Sequence, residues 1–278
     1  MNATAFQLSD SEFRAIRDLV QARFAICLTD QKRSLITGRL SGLLRKLNLS
    51  TFKDFYKLVV EDRSGETLGQ LIDRISTNHT FFYRESEHFE FFSEFFVKSM
   101  LKSDRTFQET PRIWDAGCSS GEEPYTLAML LAEASPTILG ASTPLILATD
   151  ISAQALNKAT TACYSTENVQ RLPAILKKKY LHPNGEGMLK VDPDIQKLVL
   201  YRRLNLTRDS FPFKSQFHTI FCRNVMIYFE PEFRLKLVSQ FIDWLVPGGY
   251  LFIGHSESLG RAVPNLKYIK PAVYRKVD

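Results

Sequence analysis

The stretch that most constrains this chain runs from Ile113 to Tyr125 and reads Ile-Trp-Asp-Ala-Gly-Cys-Ser-Ser-Gly-Glu-Glu-Pro-Tyr. An apolar run stops at an acid, two glycines flank a short polar turn, and helix-forming residues follow. The pattern predicts a strand, a loop and a helix start. Glycine adopts backbone angles closed to other residues and lets a ligand come close to the main chain, so Gly117 and Gly121 predict a ligand-cradling loop. The dinucleotide fingerprint G-x-G-x-x-G requires a third glycine. Here the spacing is Gly-x-x-x-Gly, and Glu122 and Glu123 follow directly. Two carboxylates at that point repel a pyrophosphate and suit a ligand with a cationic amine or sulfonium. A glycine turn with a purely structural role is the competing reading.

The 278 residues exceed the roughly 100–200 of a typical domain, so one large or two unequal domains are expected. A hydrophobic share of 44% with 24% charged residues fits a folded, water-soluble protein. Met1–Asp10 has neither the basic n-region nor the apolar h-region of a secretory signal. No apolar run approaches the roughly 20 residues of a membrane span. A cytoplasmic protein without membrane insertion is therefore expected. Cys27, Cys118, Cys163 and Cys222 form no C-x-x-C pair, and the histidines form no H-x-H or H-x-x-x-H pattern. Unpaired thiols in a reducing compartment and no metal site follow from that. The net charge of +6 favours an acidic partner, protein or nucleic acid.

Residues 9 to about 75 show helical periodicity. Ser9 or Ser11 can cap a first helix carrying Phe13, Ile16, Leu19 and Val20. Asp30 can cap a second helix reaching Leu47, with Ile36, Leu40, Leu43, Leu44 and Leu47 on one face. Lys32, Arg39 and Lys46 recur every seven residues along its edge, which reads either as a solvated rim or as a docking stripe for an acidic helix. Helices over Thr51–Val60 and Thr67–Ile75 complete a small all-helical domain, 1–75. A polar link, 76–88, contains Asn78, Thr80 and Arg84. In the phenylalanine-rich helix after it, Phe89, Phe92 and Phe96 share a line beside Phe91 and Phe95. These rings read as core rather than as a base-stacking platform.

The remainder, 89–278, alternates strand and helix and predicts a parallel sheet with helices on its faces. The strands read as 111–115, 145–149 ending at Asp150, 198–204 before Asn205-Leu206, and 217–222 before Arg223-Asn224. Ser152 caps the helix after Asp150. A strand over 250–254 follows Pro247-Gly248-Gly249, and one last strand lies near 267–275. Turn residues around Met188–Val191 mark a small strand-and-turn insertion near 180–197. In such a sheet a ligand sits outside the carboxyl ends of the strands, where Asp115, Gly117, Asp150, Asn205, Arg223 and Asn224 converge. Asp150 can accept both hydroxyls of a ribose or simply cap its helix.

Five ordered segments make the chain resemble the chemotaxis receptor methyltransferases, the CheR family. They are Asn78-x-Thr80-x-Phe82-x-Arg84, Gly121-Glu122-Glu123-Pro124-Tyr125, Ala148-Thr149-Asp150, Asn205-Leu206, and Phe221 to Phe229 (Phe-Cys-Arg-Asn-Val-Met-Ile-Tyr-Phe). The resemblance implies an α/β, Rossmann-like class I domain that binds S-adenosyl-L-methionine (AdoMet) and releases S-adenosyl-L-homocysteine. It also implies an all-helical domain ahead of it. Asn78, Thr80, Arg84, Gly117, Glu123, Asp150, Asn205, Leu206, Arg223 and Asn224 are the implied AdoMet residues, with Glu122 the alternate for the glutamate. Arg84 and Tyr228 are the implied acceptor-positioning residues. The implied activity is methyl esterification of glutamates on chemotaxis receptors, whose cytoplasmic helical domain would be the partner. Between Tyr180 and Val191 the chain is about three residues shorter than members with a longer glycine loop, which weakens any expectation that a receptor's carboxyl-terminal pentapeptide docks there.

Two other classes of function compete. An RNA or DNA methyltransferase fits the positive charge, but amino-group methylation goes with an Asn/Asp-Pro-Pro-Tyr-like turn where this chain has Cys222-Arg223-Asn224-Val225. Cys222 lacks the proline expected beside a cytosine-attacking thiol and reads as a buried strand cysteine. A non-catalytic AdoMet-binding receptor module should have lost an acceptor residue, whereas Arg84 and Tyr228 are both present.

Overall fold

The computed structural model describes residues 6–97, 111–259 and 263–277. Helices α1 (Asp10–Phe24), α2 (Arg33–Lys46), α3 (Phe52–Glu61) and α4 (Glu66–Ile75) come first. Ser9 caps α1 in a reciprocal capping box with Glu12, and Thr51 caps α3 by accepting the Asp54 N–H. Asp30 does not cap α2. It opens a 3-10 turn, Asp30–Lys32, that runs into α2 with no side-chain cap. The apolar face of α2 is buried at Ile36, Leu40, Leu43 and Leu44 in one core with Phe13, Phe52 and Leu71. Large apolar side chains stabilise by roughly 1.5–3 kcal/mol each when fully buried, so this shared core is what holds the four helices together.

Helix α5 (Ser86–Phe91) continues as a π-helical turn, Phe92–Val97. Phe89, Phe91 and Phe92 are buried in the sheet core, as read, while the side chains of Phe95 and Phe96 lie outside the described residues. The main sheet comprises β1 (Ile113–Ala116), β2 (Ile146–Asp150), β6 (Val199–Arg203), β7 (Phe217–Cys222), β8 (Leu245–Ile253), β9 (Leu266–Lys270) and β10 (Val273–Lys276). Strands β3 (Cys163–Ser165), β4 (Leu181–Pro183) and β5 (Met188–Val191) form a second, antiparallel sheet in the order β3-β5-β4. Helices α6 (Glu122–Ala134), α7 (Ala153–Thr161), α8 (Ala174–Tyr180), α9 (Pro193–Lys197) and α10 (Pro231–Trp244) connect them.

The main sheet has the order β6-β2-β1-β7-β8-β10-β9. Its first five strands are parallel, and β10 and β9 are antiparallel, so the sheet is mixed rather than parallel throughout. The expected last strand near 267–275 is a hairpin of two strands that turns at Ala272 with φ 62°. Pro247-Gly248-Gly249 does not precede β8 but lies inside it, where the pairing with β7 shifts register. The small sheet also recruits residues 163–165, upstream of the expected insertion, because three residues are too few to show an alternating pattern.

The chain leaves β1 toward β2 and β6, then returns to place β7 on the other side of β1. That order reversal makes the carboxyl ends of β1 and β7 the switch point, where open α/β sheets bind ligands. The helical domain is fastened over this edge. Ile26 bridges to Phe229, the Cys27 N–H donates to the Tyr228 carbonyl (2.8 Å), and Asn205 Nδ2 donates to the Arg23 carbonyl (2.9 Å).

Candidate active site

A cavity enclosing about 1280 Å³, its solvent-filled mouth included, lies over the switch point. The exits of β1, β2, β6 and β7 all contribute to its lining. Phe24, Ile26, Leu28, Ile36 and Ile75 of the helical domain form an apolar wall. The link contributes Asn78, Thr80 and Arg84 to the lining.

The β1 exit is shaped by one glycine and one acid. Gly117 has φ 99°, and a Cβ there would lie 2.3 Å from Val225 Cγ2, so only glycine lets the β1 and β7 exits meet. The Gly117 and Cys118 N–H groups donate to the Thr149 carbonyl (2.7 and 3.0 Å). Asp150 Oδ2 accepts the Ser119 N–H and Oδ1 accepts the Ser152 N–H, both at 2.8 Å. The loop thus spends its amides on β2 rather than on an anion, in keeping with the exclusion of a pyrophosphate. Asp150 holds the loop and lines the cavity, while the cap of α7 is Ser152, whose Oγ accepts the Ala155 N–H. Each carboxylate oxygen has a further lone-pair site for a ligand hydroxyl. Burial pushes its pKa up, against the pull of those backbone N–H groups.

The two glutamates separate. Glu122 is fully buried behind the loop, accepting from Ser120 Oγ (2.7 Å) and Asn168 Nδ2 (3.2 Å), and does not reach the cavity. The two side chains diverge because the first turn of α6 points successive residues about 100° apart. Glu123 lines the cavity and pairs with the Arg223 guanidinium. Arg223 also donates to the Arg84 carbonyl and to Glu85 Oε2 (3.0 Å), with its guanidinium 5.2 Å from the Phe89 ring centre. Burial raises the Glu123 pKa, opposed by Arg223. Burial, with the neighbouring charge of Glu123, pushes Asp115 well up. For Glu85, burial is outweighed by the charge and hydrogen bonds of Arg223, which leave its carboxyl below the usual range.

Asn205, Leu206, Asn224 and Tyr228 complete the lining. The Asn205 amide is occupied structurally, since Oδ1 accepts the Thr207 N–H (3.1 Å) while Nδ2 holds α1. Asn224 has φ 58° and donates from Nδ2 to Glu85 Oε1 (3.1 Å). Tyr228 stands on a 3-10 turn, Met226–Tyr228, with Lys32 Nζ 5.2 Å from its ring centre. The basic stripe is divided. Lys32 and Arg39 line the cavity, and Arg39 Nη1 donates to the Ile75 carbonyl (2.8 Å), whereas Lys46 is exposed at the far end of α2.

Glu85 and Glu257 were missed in the sequence. The first adjoins Arg84, and the second follows the end of β8, the one parallel-strand end left unread. Glu85, His88 and His255 bring possible ligand atoms within 4.8 Å of one another. The Glu85 oxygens already accept from Arg223, Asn224 and the His255 N–H, so a cation would sit against a guanidinium. His88 is fully buried, and burial, with the Arg223 charge, pushes its pKa down to about 3. Cys222 lies fully buried in β7 with its thiol pushed well up by burial, unlike an attacking thiolate.

Carboxylates at the start of α6 and at the end of β2 line the cavity and suit an amine and ribose hydroxyls, and the apolar wall suits a base. With the switch-point crevice, this is the construction of a class I AdoMet-dependent methyltransferase. Residues 11–76 match the all-alpha domain of CheR methyltransferases, and residues 78–274 match the CheR methyltransferase SAM binding domain. The chain is 40% identical over 270 residues to a chemotaxis protein methyltransferase of Borreliella burgdorferi, covering 97% of this chain and 95% of that one. It is 35% identical to one of Vibrio parahaemolyticus (92% of each chain) and 34% identical to one of Escherichia coli (90% and 85%). The chain belongs to the CheR methyltransferase family.

Proposed function

We propose that this methyltransferase esterifies glutamate side chains on the cytoplasmic helical domain of chemotaxis receptors. The observation that carries the reading is that Arg84 and Tyr228 face the same cavity as Glu123 and Asp150, which puts carboxylate-orienting groups beside the cofactor residues. Bound AdoMet supplies a methyl group made electrophilic by its sulfonium. Glu123 and Asp150 would hold the cofactor's amine and ribose, with Asn78, Thr80, Leu206, Arg223 and Asn224 around them.

A receptor glutamate has a reference pKa of about 4.3 and is already ionised near neutrality, so no general base is needed. The protein's work is alignment and removal of water from the nucleophile. Arg84 spends Nη1 on the His79 carbonyl (2.8 Å), which fixes its fork at the cavity edge with further N–H donors for a carboxylate. The Tyr228 hydroxyl can donate to the same carboxylate. Leu28, Ile36 and Phe24 line the cavity with apolar surface, which favours removal of water once the reactants are bound. A nucleic-acid substrate is not favoured, because Cys222 is buried in β7 outside the cavity lining with its thiol pushed well up by burial.

Incubation with labelled AdoMet and membranes carrying candidate receptors, followed by alkaline hydrolysis, tests the reading. Release of labelled methanol identifies a carboxyl ester. Base-stable label would overturn it.

A further inference from the structure

The carboxyl end of β8 holds a carboxylate that none of the steps above uses. After Ile253 the chain turns through Gly254, His255 and Ser256, closed by the Glu257 N–H donating to the Gly254 carbonyl (2.9 Å). This turn carries the Glu257 side chain back across the exit of β7. Glu257 Oε2 accepts the Asn224 N–H (3.0 Å) and the Gly254 N–H (2.5 Å), and Oε1 accepts the Ile227 N–H (3.2 Å).

Those amides need an acceptor. The 3-10 turn Met226–Tyr228 begins after Val225, which offers no side-chain cap, so its first N–H groups would otherwise be unsatisfied. Asn224 stands in the left-handed region, which fixes the direction in which the loop leaves β7. The two exits are also pressed together. A Cβ on Gly254 would lie 2.4 Å from Asn224 Nδ2 and 2.7 Å from its backbone nitrogen, so the approach requires glycine.

The loop is anchored in two halves. Its cofactor-facing half is held mostly from elsewhere, Arg223 by Glu123 and Glu85 and the Asn224 side-chain amide by Glu85, and the Asn224 N–H on Glu257 is the bond it shares with the other half. Its acceptor-facing half, ending at Tyr228, is held by Glu257 on one side and by the Cys27 N–H on the other. We propose that Glu257 is a positioning residue for methyl transfer: its carboxylate caps the Met226–Tyr228 turn and sets the place of the Tyr228 hydroxyl relative to Arg84. This rests on the proposed function, in which Tyr228 orients the acceptor carboxylate.

Arg223 and the Asn224 side chain keep their anchors on Glu123 and Glu85 when Glu257 is changed, which makes the proposal testable. Glu257→Gln keeps the size of the side chain but replaces one acceptor oxygen with an NH2 that faces N–H donors. Rates on receptor membranes are measured per cofactor-competent site, counted by calorimetric titration with AdoMet, so a loss of folded protein does not enter. The expected result is a kcat lowered roughly 10- to 100-fold, as a misplacement of about 1 Å produces, with the AdoMet Kd within about threefold of wild type. In a Tyr228→Phe background the same change should lower kcat by less than about threefold, because the two residues act through one loop. Glu257→Asp, too short to span the three amides, should behave as Glu257→Gln does. An unchanged kcat per competent site, or an equal loss in both backgrounds, would overturn the proposal. A Tyr228→Phe enzyme with wild-type turnover would instead overturn the role of Tyr228 on which it rests, and wild-type failure to form base-labile ester would overturn the function itself.

Discussion

Glu122 and Glu123 are neighbours of the same chemistry with opposite fates. Glu122 is committed to Ser120 and Asn168 behind the glycine loop, while Glu123 faces the cavity opposite Arg223. Hydrogen bonds to a charged group contribute about 1.5–3 kcal/mol. Glu123→Gln should therefore raise the AdoMet Kd at least about tenfold by calorimetry. Glu122→Gln should leave that Kd within about threefold and act on the unfolding temperature instead. Equal losses of affinity in both variants would reject the assignment.

Helix α5 carries a pH response through His88. Burial, with the Arg223 charge, pushes its folded pKa down to about 3, whereas the imidazole exposed in the unfolded chain has the ordinary value of 6.5. Between those values the unfolded chain binds more protons, so the stabilisation is complete above pH 6.5 and is lost as pH falls toward 3. At pH 5 the loss amounts to about 2 kcal/mol. Asp150 and Glu123 work in the opposite sense, because their raised folded values weaken the fold as pH rises. Denaturant unfolding at pH 7 and pH 5 should show the acid-side loss in wild type and its absence in His88→Leu. A parallel pH response in both proteins would show that another group is responsible. Helix α2 supports a second test. Arg39 is tied to the Ile75 carbonyl at the cavity, so Lys46 is the clean reporter of receptor docking by the basic stripe. If the stripe meets a receptor helix, Lys46→Glu should raise the receptor KM and flatten its salt dependence without changing AdoMet affinity. As a solvated rim, it would change little, since exposed charges contribute about 0–1 kcal/mol. Methylation kinetics at two salt concentrations separate the outcomes.

At the scale of the molecule, the cavity exists because two cores meet. Ile26 packs against both the helical core and one face of the sheet. Asn205 crosses the same joint to the end of α1. Asn205→Ala removes that crossing, with a stability loss of about 0.5–1.5 kcal/mol for a typical hydrogen bond. The expected result is a lower unfolding temperature together with weaker AdoMet binding, because the apolar wall is then held over β6 only by the Thr207 hydroxyl on the same Arg23 carbonyl and by the Cys27–Tyr228 bond beside it. Unchanged affinity in a destabilised variant would show that the wall closes without this bond.

The sequence alone determined whatever is encoded within a few residues. Ser9, one of the two caps open to α1, announced its helix because a cap acts over three positions, and the five-motif order marked the family and its cofactor class. The division of the α2 stripe, the separation of Glu122 from Glu123, and the places of Glu85 and Glu257 were not legible there. Each depends on groups far apart in the chain, such as Arg223 and Glu123, 100 residues apart, whose meeting is set by strand order. The added antiparallel edge and the three-residue strand β3 also escaped a local reading, because strands that short take their pairing from a partner. Periodicity and capping are local forces and can be read along the chain, whereas which donor meets which acceptor across the switch point is decided only when the sheet has closed the distance.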